Sequence, residues 1–141
     1  MGFQPGSRLK ENIRNLVVGP LMVNTYILID PKTCYAAIID PGAEDARILS
    51  EVERLNVHPA IILNTHTHGD HIGGNGMIKA ATMAPLAVHQ AEAKWLADPS
   101  ANLSNSLGFP IVSPPADILL EGNESLQVGD LELKVLHTPG H

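Results

Sequence analysis

Four side chains that commonly bind metals are crowded into six consecutive positions near the middle of this 141-residue sequence. They are His66, His68, Asp70 and His71, in the pattern H-x-H-x-D-H. The expected count of such a pattern in a shuffled chain of this composition is roughly one in a thousand. Imidazole and carboxylate together are usual ligands of zinc, and also of iron or manganese. The pattern therefore predicts a metal site, and metal-assisted hydrolysis is the chemistry that suits it best.

The spacing of these residues indicates how they would meet an ion. In an extended backbone, His66 and His68 project to the same side, so their rings can reach one cation at about 2.0 to 2.1 Å. Asp70 and His71 follow where a helix is predicted to begin, and they would approach from a different angle. The run can thus serve one ion or two adjacent ions. Gly73 and Gly74 leave room where that helix must lie close to the site.

A second group of candidate ligands ends the chain, in the segment His137-Thr138-Pro139-Gly140-His141. It follows a predicted strand, and its Pro-Gly turn could direct His141 toward His66 and His68. A terminal histidine is, however, more often frayed and exposed. The residues alone leave ligation by His141 open.

The elements around these motifs predict an α+β fold rather than a helix bundle. Apolar and β-branched runs bounded by turn residues predict strands at 13–18, 21–29, 34–39, 60–63, 86–88, 118–120, 125–128 and 131–136. Helical periodicity predicts helices at 43–55, from about 69 to 84, and at 90–97. Residues 98–116 are rich in Asn, Ser, Gly and Pro and are predicted to form a long surface loop.

Composition limits the possible partners and surroundings. Hydrophobic residues make up 44% of the chain and charged residues 17%, which is typical of a folded core, and we expect one domain over residues 1–141. The net charge of -6 argues against a nucleic-acid partner. No apolar run is long enough for a membrane span, so no membrane partner is expected. A single cysteine and the lack of a signal-peptide pattern favour a cytoplasmic location.

Three motifs together resemble those of the metallo-β-lactamase superfamily. They are Asp40-Pro41-Gly42, the run from His66 to His71, and the run from His137 to His141, in that order. The segment from Thr65 to Asn75 resembles the hydroxyacylglutathione hydrolase (glyoxalase II) branch. The resemblance implies a metallo-β-lactamase αββα sandwich. This chain would hold its N-terminal half and the first strands of the second half, as one incomplete domain.

The resemblance also implies a role for each candidate residue. His66, His68 and His141 would bind a first metal, and Asp70 and His71 a second. Asp40 would support the site without touching a metal, whereas His137 matches a position that is not usually a ligand. The cofactor would be zinc, as one or two ions, with iron or manganese possible. Asp70 would be catalytic, orienting water that the metal makes acidic enough to supply hydroxide at neutral pH.

The family pattern continues beyond His141 with an aspartate shared by both metals and a further histidine. We therefore expect a weaker second site, impaired activity, and association of the chain into a homodimer.

Three functions remain open from the sequence. The first is hydrolysis of a small-molecule thioester or ester of the hydroxyacylglutathione type. The second is an iron-dependent dioxygenase acting on persulfides, which elemental analysis would distinguish by its iron. The third is a non-catalytic half-domain that binds metal and self-associates, which would show intact metal content without turnover.

Overall fold

The structure, a computed structural model, describes residues 12–141. The described residues form eight strands, three α-helices and two short 3-10 helices. The strands are β1 (Ile13–Val18), β2 (Val23–Ile29), β3 (Tyr35–Ile39), β4 (His58–Leu63), β5 (Leu86–His89), β6 (Ile118–Leu120), β7 (Ser125–Val128) and β8 (Leu131–Lys134). The helices are α1 (Ala46–Leu55), α2 (Gly69–Ile72) and α3 (Asn75–Thr82), and the 3-10 helices are Ala93–Ala97 and Asn105–Leu107.

Strands β1 to β6 lie side by side in sequence order in one mixed sheet. The first three strands pair antiparallel, and β3 to β6 pair parallel. Strands β7 and β8 form a separate antiparallel hairpin. The predicted α+β class is confirmed.

The large sheet carries a separate apolar cluster on each face, as the period-two alternation of a strand requires. On β3, Ala36 and Ile38 belong to the cluster that also contains Ile48 and Val52 of α1. The intervening Ala37 belongs to the second cluster, which includes Val128 of β7. Burying a side chain such as Ile38, which is 0% exposed, contributes about 1.5 to 3 kcal/mol. The order of layers is therefore helices, large sheet, small sheet.

The predicted helices differ from the observed ones at identifiable residues. Helix α1 begins at Ala46 rather than residue 43, because the Asp45 side chain accepts a hydrogen bond from the Arg47 N–H and caps the first turn. The predicted helix over 69–84 is wrong in its continuity, since it is divided into α2 and α3 at Gly73 and Gly74. The predicted helix at 90–97 is a 3-10 helix over Ala93–Ala97. None of the helices in residues 12–141 has the length and apolar character needed to cross a membrane.

A buried aspartate fastens the small sheet to the large one. Asp30 directly follows β2 and is 1% exposed. Its Oδ2 accepts hydrogen bonds from the Thr33 hydroxyl (2.6 Å) and from the Asp130 N–H (2.7 Å). Asp130 lies in the turn between β7 and β8, a hundred residues further along the chain. Gly129, at φ +59, completes the contact, because a Cβ there would overlap Asp30 and Thr33. This carboxylate thus sets where β8 starts and, through β8, where the chain's last residues lie.

The Asp30 link should make stability depend on pH. Hydrogen bonds from Thr33 and from the Asp130 backbone lower the pKa of Asp30 below its usual value near 3.8. A depressed pKa stabilises the folded state above about pH 4, and this contribution disappears as pH falls through the folded pKa. We expect Asp30→Asn to lower the free energy of unfolding at pH 7, and the deficit to shrink toward pH 3. Urea unfolding across this range measures it, with Glu132→Gln, an exposed carboxylate of β8, as the control.

Candidate metal centre

The candidate ligands collect at one edge of the large sheet. Asp40 directly follows β3, and the loop from Asn64 to His68 directly follows β4. The carboxyl ends of parallel strands meet at the same edge, which brings these two loops together. His141 arrives from the other direction, along the segment that follows β8. The site therefore joins residues from both sheets.

His66, His68 and His141 converge on a common point. Each offers one ring nitrogen, and these three nitrogens all lie within 4.8 Å of one another. The ring centroids of His66 and His141 are 4.6 Å apart, and those of His68 and His141 are 4.8 Å apart. Three imidazole nitrogens around one space match the donor set of zinc sites that keep a fourth position open.

A chain of hydrogen bonds determines which nitrogen of His66 is free. The Thr65 hydroxyl donates to Asp40 Oδ2 at 2.5 Å, so its oxygen is left to accept from His66 Nδ1 at 3.1 Å. His66 Nδ1 then carries the proton, and Nε2 keeps its lone pair. Nε2 is buried and has no hydrogen-bond partner within residues 12–141. Buried polar atoms are rarely left unpaired, and a bound cation would satisfy this one. The residues present thus fit a metal.

His66 is also held in the protonation state that a metal requires. Burial, supported by the neighbouring imidazoles of His71, His68 and His141, lowers the pKa of His66 to about 4. The nearby Asp40 carboxylate acts in the opposite direction but is outweighed. His66 is therefore neutral at pH 7, and protons compete little with a metal for its Nε2.

Asp70 and His71 lie beside the three histidines on the first turn of α2. His71 Nδ1 lies 3.1 Å from Asp40 Oδ2, whereas its Nε2 faces Asp70 Oδ2 at 3.7 Å. Burial alone would lower the pKa of His71, but the hydrogen bond to Asp40 and the charges of Asp40 and Asp70 together raise it. The rings of His71 and His66 are 4.0 Å apart, so Asp70 and His71 lie where they could serve a second ion next to the first.

The loop after β3 and helix α2 approach each other without intervening side chains. A Cβ on Gly42 would overlap the Asp70 carbonyl oxygen, and one on Gly73 would overlap the Gly42 carbonyl oxygen. The Gly74 N–H donates to the Pro41 carbonyl at 2.6 Å. The predicted close approach at Gly73 and Gly74 is confirmed, and it brings α2 to the loop after β3, where His71 Nδ1 lies 3.1 Å from Asp40 Oδ2.

Several supporting residues were not found from the sequence. Thr65, which links Asp40 to His66, immediately precedes the run from His66 to His71 and could have been suspected from that position. Asn75 donates to Asn64 Oδ1 at 2.8 Å and to the Ser113 hydroxyl at 3.0 Å, in a buried polar network behind α2. Glu92 accepts a hydrogen bond from the Thr67 N–H at 3.1 Å. Neither Asn75 nor Glu92 carries a sequence signal for these contacts, because each depends on residues distant in the chain.

Comparison with known families decides the identity of the fold. The model of the metallo-β-lactamase superfamily matches residues 18–141. The chain belongs to the metallo-β-lactamase superfamily. The solved structure of BLEG-1 B3 metallo-β-lactamase superposes with a TM-score of 0.85 at 36% identity, over 91% of this chain and 62% of that one. The predicted metallo-β-lactamase fold is confirmed.

Relatives within the superfamily carry several names. The probable metallo-hydrolase YqgX of Bacillus subtilis is 40% identical over 129 residues, 91% of this chain and 60% of the relative. The hydroxyacylglutathione hydrolase GloC of Haemophilus influenzae is 27% identical and is matched over 62% of its length. A structure of TTHA1623 in a di-iron-bound form has a TM-score of 0.74 at 29% identity, over 90% of this chain and 61% of that one. The chain spans about 60% of the length of these relatives.

Asp40 should control metal affinity without being a ligand. In Asp40→Asn, an amide NH2 would replace the Oδ2 that accepts from Thr65 and lies beside His71 Nδ1. Asparagine tolerates the left-handed backbone at this position (φ 52), so the fold should survive. We expect metal affinity to fall about 10- to 100-fold, measured by calorimetric titration with Zn²⁺.

The control is Asp117→Asn, which removes an exposed carboxylate paired with Lys79 at 2.6 Å. This variant loses hydrogen bonds remote from the three histidines and should keep wild-type metal affinity. Equal affinities for all three proteins would refute the role assigned to Asp40.

Proposed function

We propose that this chain is the metal-binding part of a hydrolase that cleaves small thioesters or esters, of the hydroxyacylglutathione type. The observation that carries the proposal is the convergence of three imidazoles from both sheets, with the lone pair of His66 Nε2 directed to a buried, unpaired position. Membership of the metallo-β-lactamase superfamily and the similarity to GloC support this reaction class.

Each candidate residue then has a specific task. His66, His68 and His141 would hold a first ion, with zinc as the expected metal, and Asp70 and His71 would contribute to a second. A divalent cation bound there supplies Lewis acidity, lowering the pKa of water and polarising a carbonyl group. The Asp70 carboxylate would orient the attacking water and accept its proton, since its side chain remains 25% exposed at the site.

An apolar cleft beside Asp70 supports a compact acyl substrate. The cleft has a volume of about 370 Å³ and reaches from the turn between β1 and β2 to the loop after Asn105–Leu107. Its apolar lining consists of Val18, Pro20, Leu21, Val23, Ala43, Phe109 and Ile111. Glu44 also lines the cleft, so a strongly anionic group is disfavoured there. A short, uncharged acyl chain fits both the volume and the lining.

The metal and the reaction can be tested together with a ligand variant. We expect the wild-type chain to bind Zn²⁺ and to release thiol slowly from a hydroxyacyl thioester. His68→Ala should weaken Zn²⁺ binding by about 100-fold or more and abolish turnover, because a direct ligand contributes more than its supporting contacts. His58→Ala is the matched control, since His58 is an exposed histidine at the start of β4.

Elemental analysis of the purified protein separates the alternatives. Zinc with thiol release supports hydrolysis. A single iron with oxygen consumption would instead support the dioxygenase function. Because TTHA1623 has been solved in a di-iron-bound form, the iron content of this protein should be measured together with its zinc content. Metal binding without any turnover would favour the non-catalytic half-domain. The homodimer, the cytoplasmic location and the single incomplete domain stay predictions.

The apolar cleft gives a separate prediction on substrate binding. Leu21 is 50% exposed in the cleft wall, so Leu21→Asp should fold normally. Losing its apolar contact and adding a charge should raise KM for an apolar acyl thioester about tenfold, with kcat little changed. Leu119→Asp is the control, because Leu119 is 56% exposed on β6 and does not line the cleft. A drop in kcat at unchanged KM would contradict substrate binding in this cleft.

A further inference from the structure

The turn from His89, the last residue of β5, to Glu92 contacts two separate ligand-bearing segments. We call it the His89–Glu92 turn. Its backbone is fixed by hydrogen bonds from the Gln90 N–H to the Leu120 carbonyl (2.8 Å) and from the Glu92 N–H to the His89 carbonyl (3.0 Å). The turn is therefore anchored to β6 on the large sheet, independently of the histidines that it reaches.

At one end of the turn, Glu92 holds the residue between two candidate ligands. Thr67 is 0% exposed and lies between His66 and His68. Its N–H donates to Glu92 Oε1 at 3.1 Å, and its hydroxyl donates to the Glu92 backbone carbonyl at 3.3 Å. Because the Thr67 peptide connects the two histidines, a bond to its N–H limits how their rings are directed. The side chain of Glu92 supplies one of these bonds and its backbone the other.

At the other end of the turn, hydrogen bonds fix the orientation of the His89 ring. Its Nδ1 accepts a hydrogen bond from the Ala91 N–H at 3.1 Å, so Nδ1 carries no proton. Its Nε2–H is then the group that donates to the Glu121 carbonyl, at 3.2 Å. Both nitrogens of the ring are thus occupied, and the ring has one preferred orientation.

The ring of His137 stacks on the ring of His89. The two ring centroids are 4.2 Å apart and the ring planes differ by 12°. Gly122, at φ +107, leaves the space for His137, since a Cβ there would lie 3.0 Å from the Cβ of His137. His137 lies four residues before His141 on a segment that has no backbone hydrogen bond after Val135 within the described residues. The stack is therefore a contact that limits where His141 can lie.

We infer that the His89–Glu92 turn positions the three histidines of the metal site. Glu92 acts on His66 and His68 through Thr67, and His89 acts on His141 through His137. Both are positioning residues rather than ligands. The inference rests on the metal binding in the proposed function. It predicts that metal affinity depends on a hydrogen-bond acceptor at position 92 and on an aromatic ring at position 137.

Paired variants of the whole 141-residue chain test this dependence. Glu92→Ala removes the acceptor for the Thr67 N–H, whereas Glu92→Gln keeps an amide oxygen that can accept the same bond. His137→Ala removes the stacked ring, whereas His137→Phe keeps an aromatic ring. Matched controls are Glu132→Ala and His58→Ala, both on exposed residues outside the site. The probes are Zn²⁺ by calorimetry and Co²⁺ by its visible absorption, with thermal unfolding of each metal-free protein.

We expect each Ala variant at positions 92 and 137 to weaken Zn²⁺ binding about tenfold and to change the Co²⁺ spectrum. Glu92→Gln and His137→Phe should recover wild-type affinity and spectrum. Because the two contacts act on different ligands, the double Ala variant should weaken binding by about 100-fold.

Three results would overturn the inference. The first is wild-type affinity in both Ala variants. The second is a lower unfolding temperature of the metal-free protein with unchanged metal binding, which would indicate a purely structural role. The third is that Gln and Phe behave like Ala. Tight metal binding without thioester turnover would contradict the proposed hydrolase function but not this inference. If the wild-type chain bound neither Zn²⁺ nor Co²⁺, both the proposed function and this inference would be contradicted.

Discussion

The buried carboxylate of Asp40 is the interaction on which the candidate site depends. Asp40 is 4% exposed, and a charge taken out of water is costly unless hydrogen-bond donors surround it. Donors come from the Thr65 backbone (2.7 Å), the Thr65 hydroxyl (2.5 Å) and the His71 ring (3.1 Å). The need to satisfy one buried charge thus forces the end of β3, the loop after β4 and helix α2 into a single arrangement.

The same carboxylate connects structure to chemistry, because its hydrogen bonds determine which imidazole nitrogens are left free. A proton on Nδ1 of His66 leaves its Nε2 as an electron-pair donor, and the bond from His71 Nδ1 to Asp40 directs Nε2 of that ring toward Asp70. The backbone of Asp40 is equally constrained, since its N–H donates to the Leu63 carbonyl and its carbonyl accepts from the Thr25 hydroxyl at 2.7 Å. Neighbouring strands of the large sheet therefore hold Asp40 on both sides.

Assembly of the site also requires the small sheet to pack at one defined position on the large sheet. Asp30 and Asp130 meet at the end of the sheet opposite to Asp40, and they fix where the small hairpin begins. The apolar cluster of Ala37, Ile61, Ala87, Leu120 and Val128 then holds the hairpin against the large sheet. This distant contact and this apolar layer set the path of the final segment, which ends with His141 beside His66 and His68.

The sequence by itself determined the fold class, most strand positions and the identity of the candidate ligands. Period-two apolar runs specify strands locally, and the run from His66 to His71 is compact enough to be recognised without a structure. Helix limits were less accurate, because Asp45 capping and the approach of Gly73 to Gly42 are decided by particular contacts. Only the tertiary structure showed that His141 lies beside His66 and His68. It also showed that the Thr65 hydroxyl connects Asp40 to His66 by hydrogen bonds. The contacts of Glu92 and His89 with the ligand-bearing segments likewise appear only in the folded chain. Most of these contacts join residues far apart in the chain, and their geometry depends on how the two sheets pack. The local sequence around each residue therefore carries no periodic pattern that would predict them.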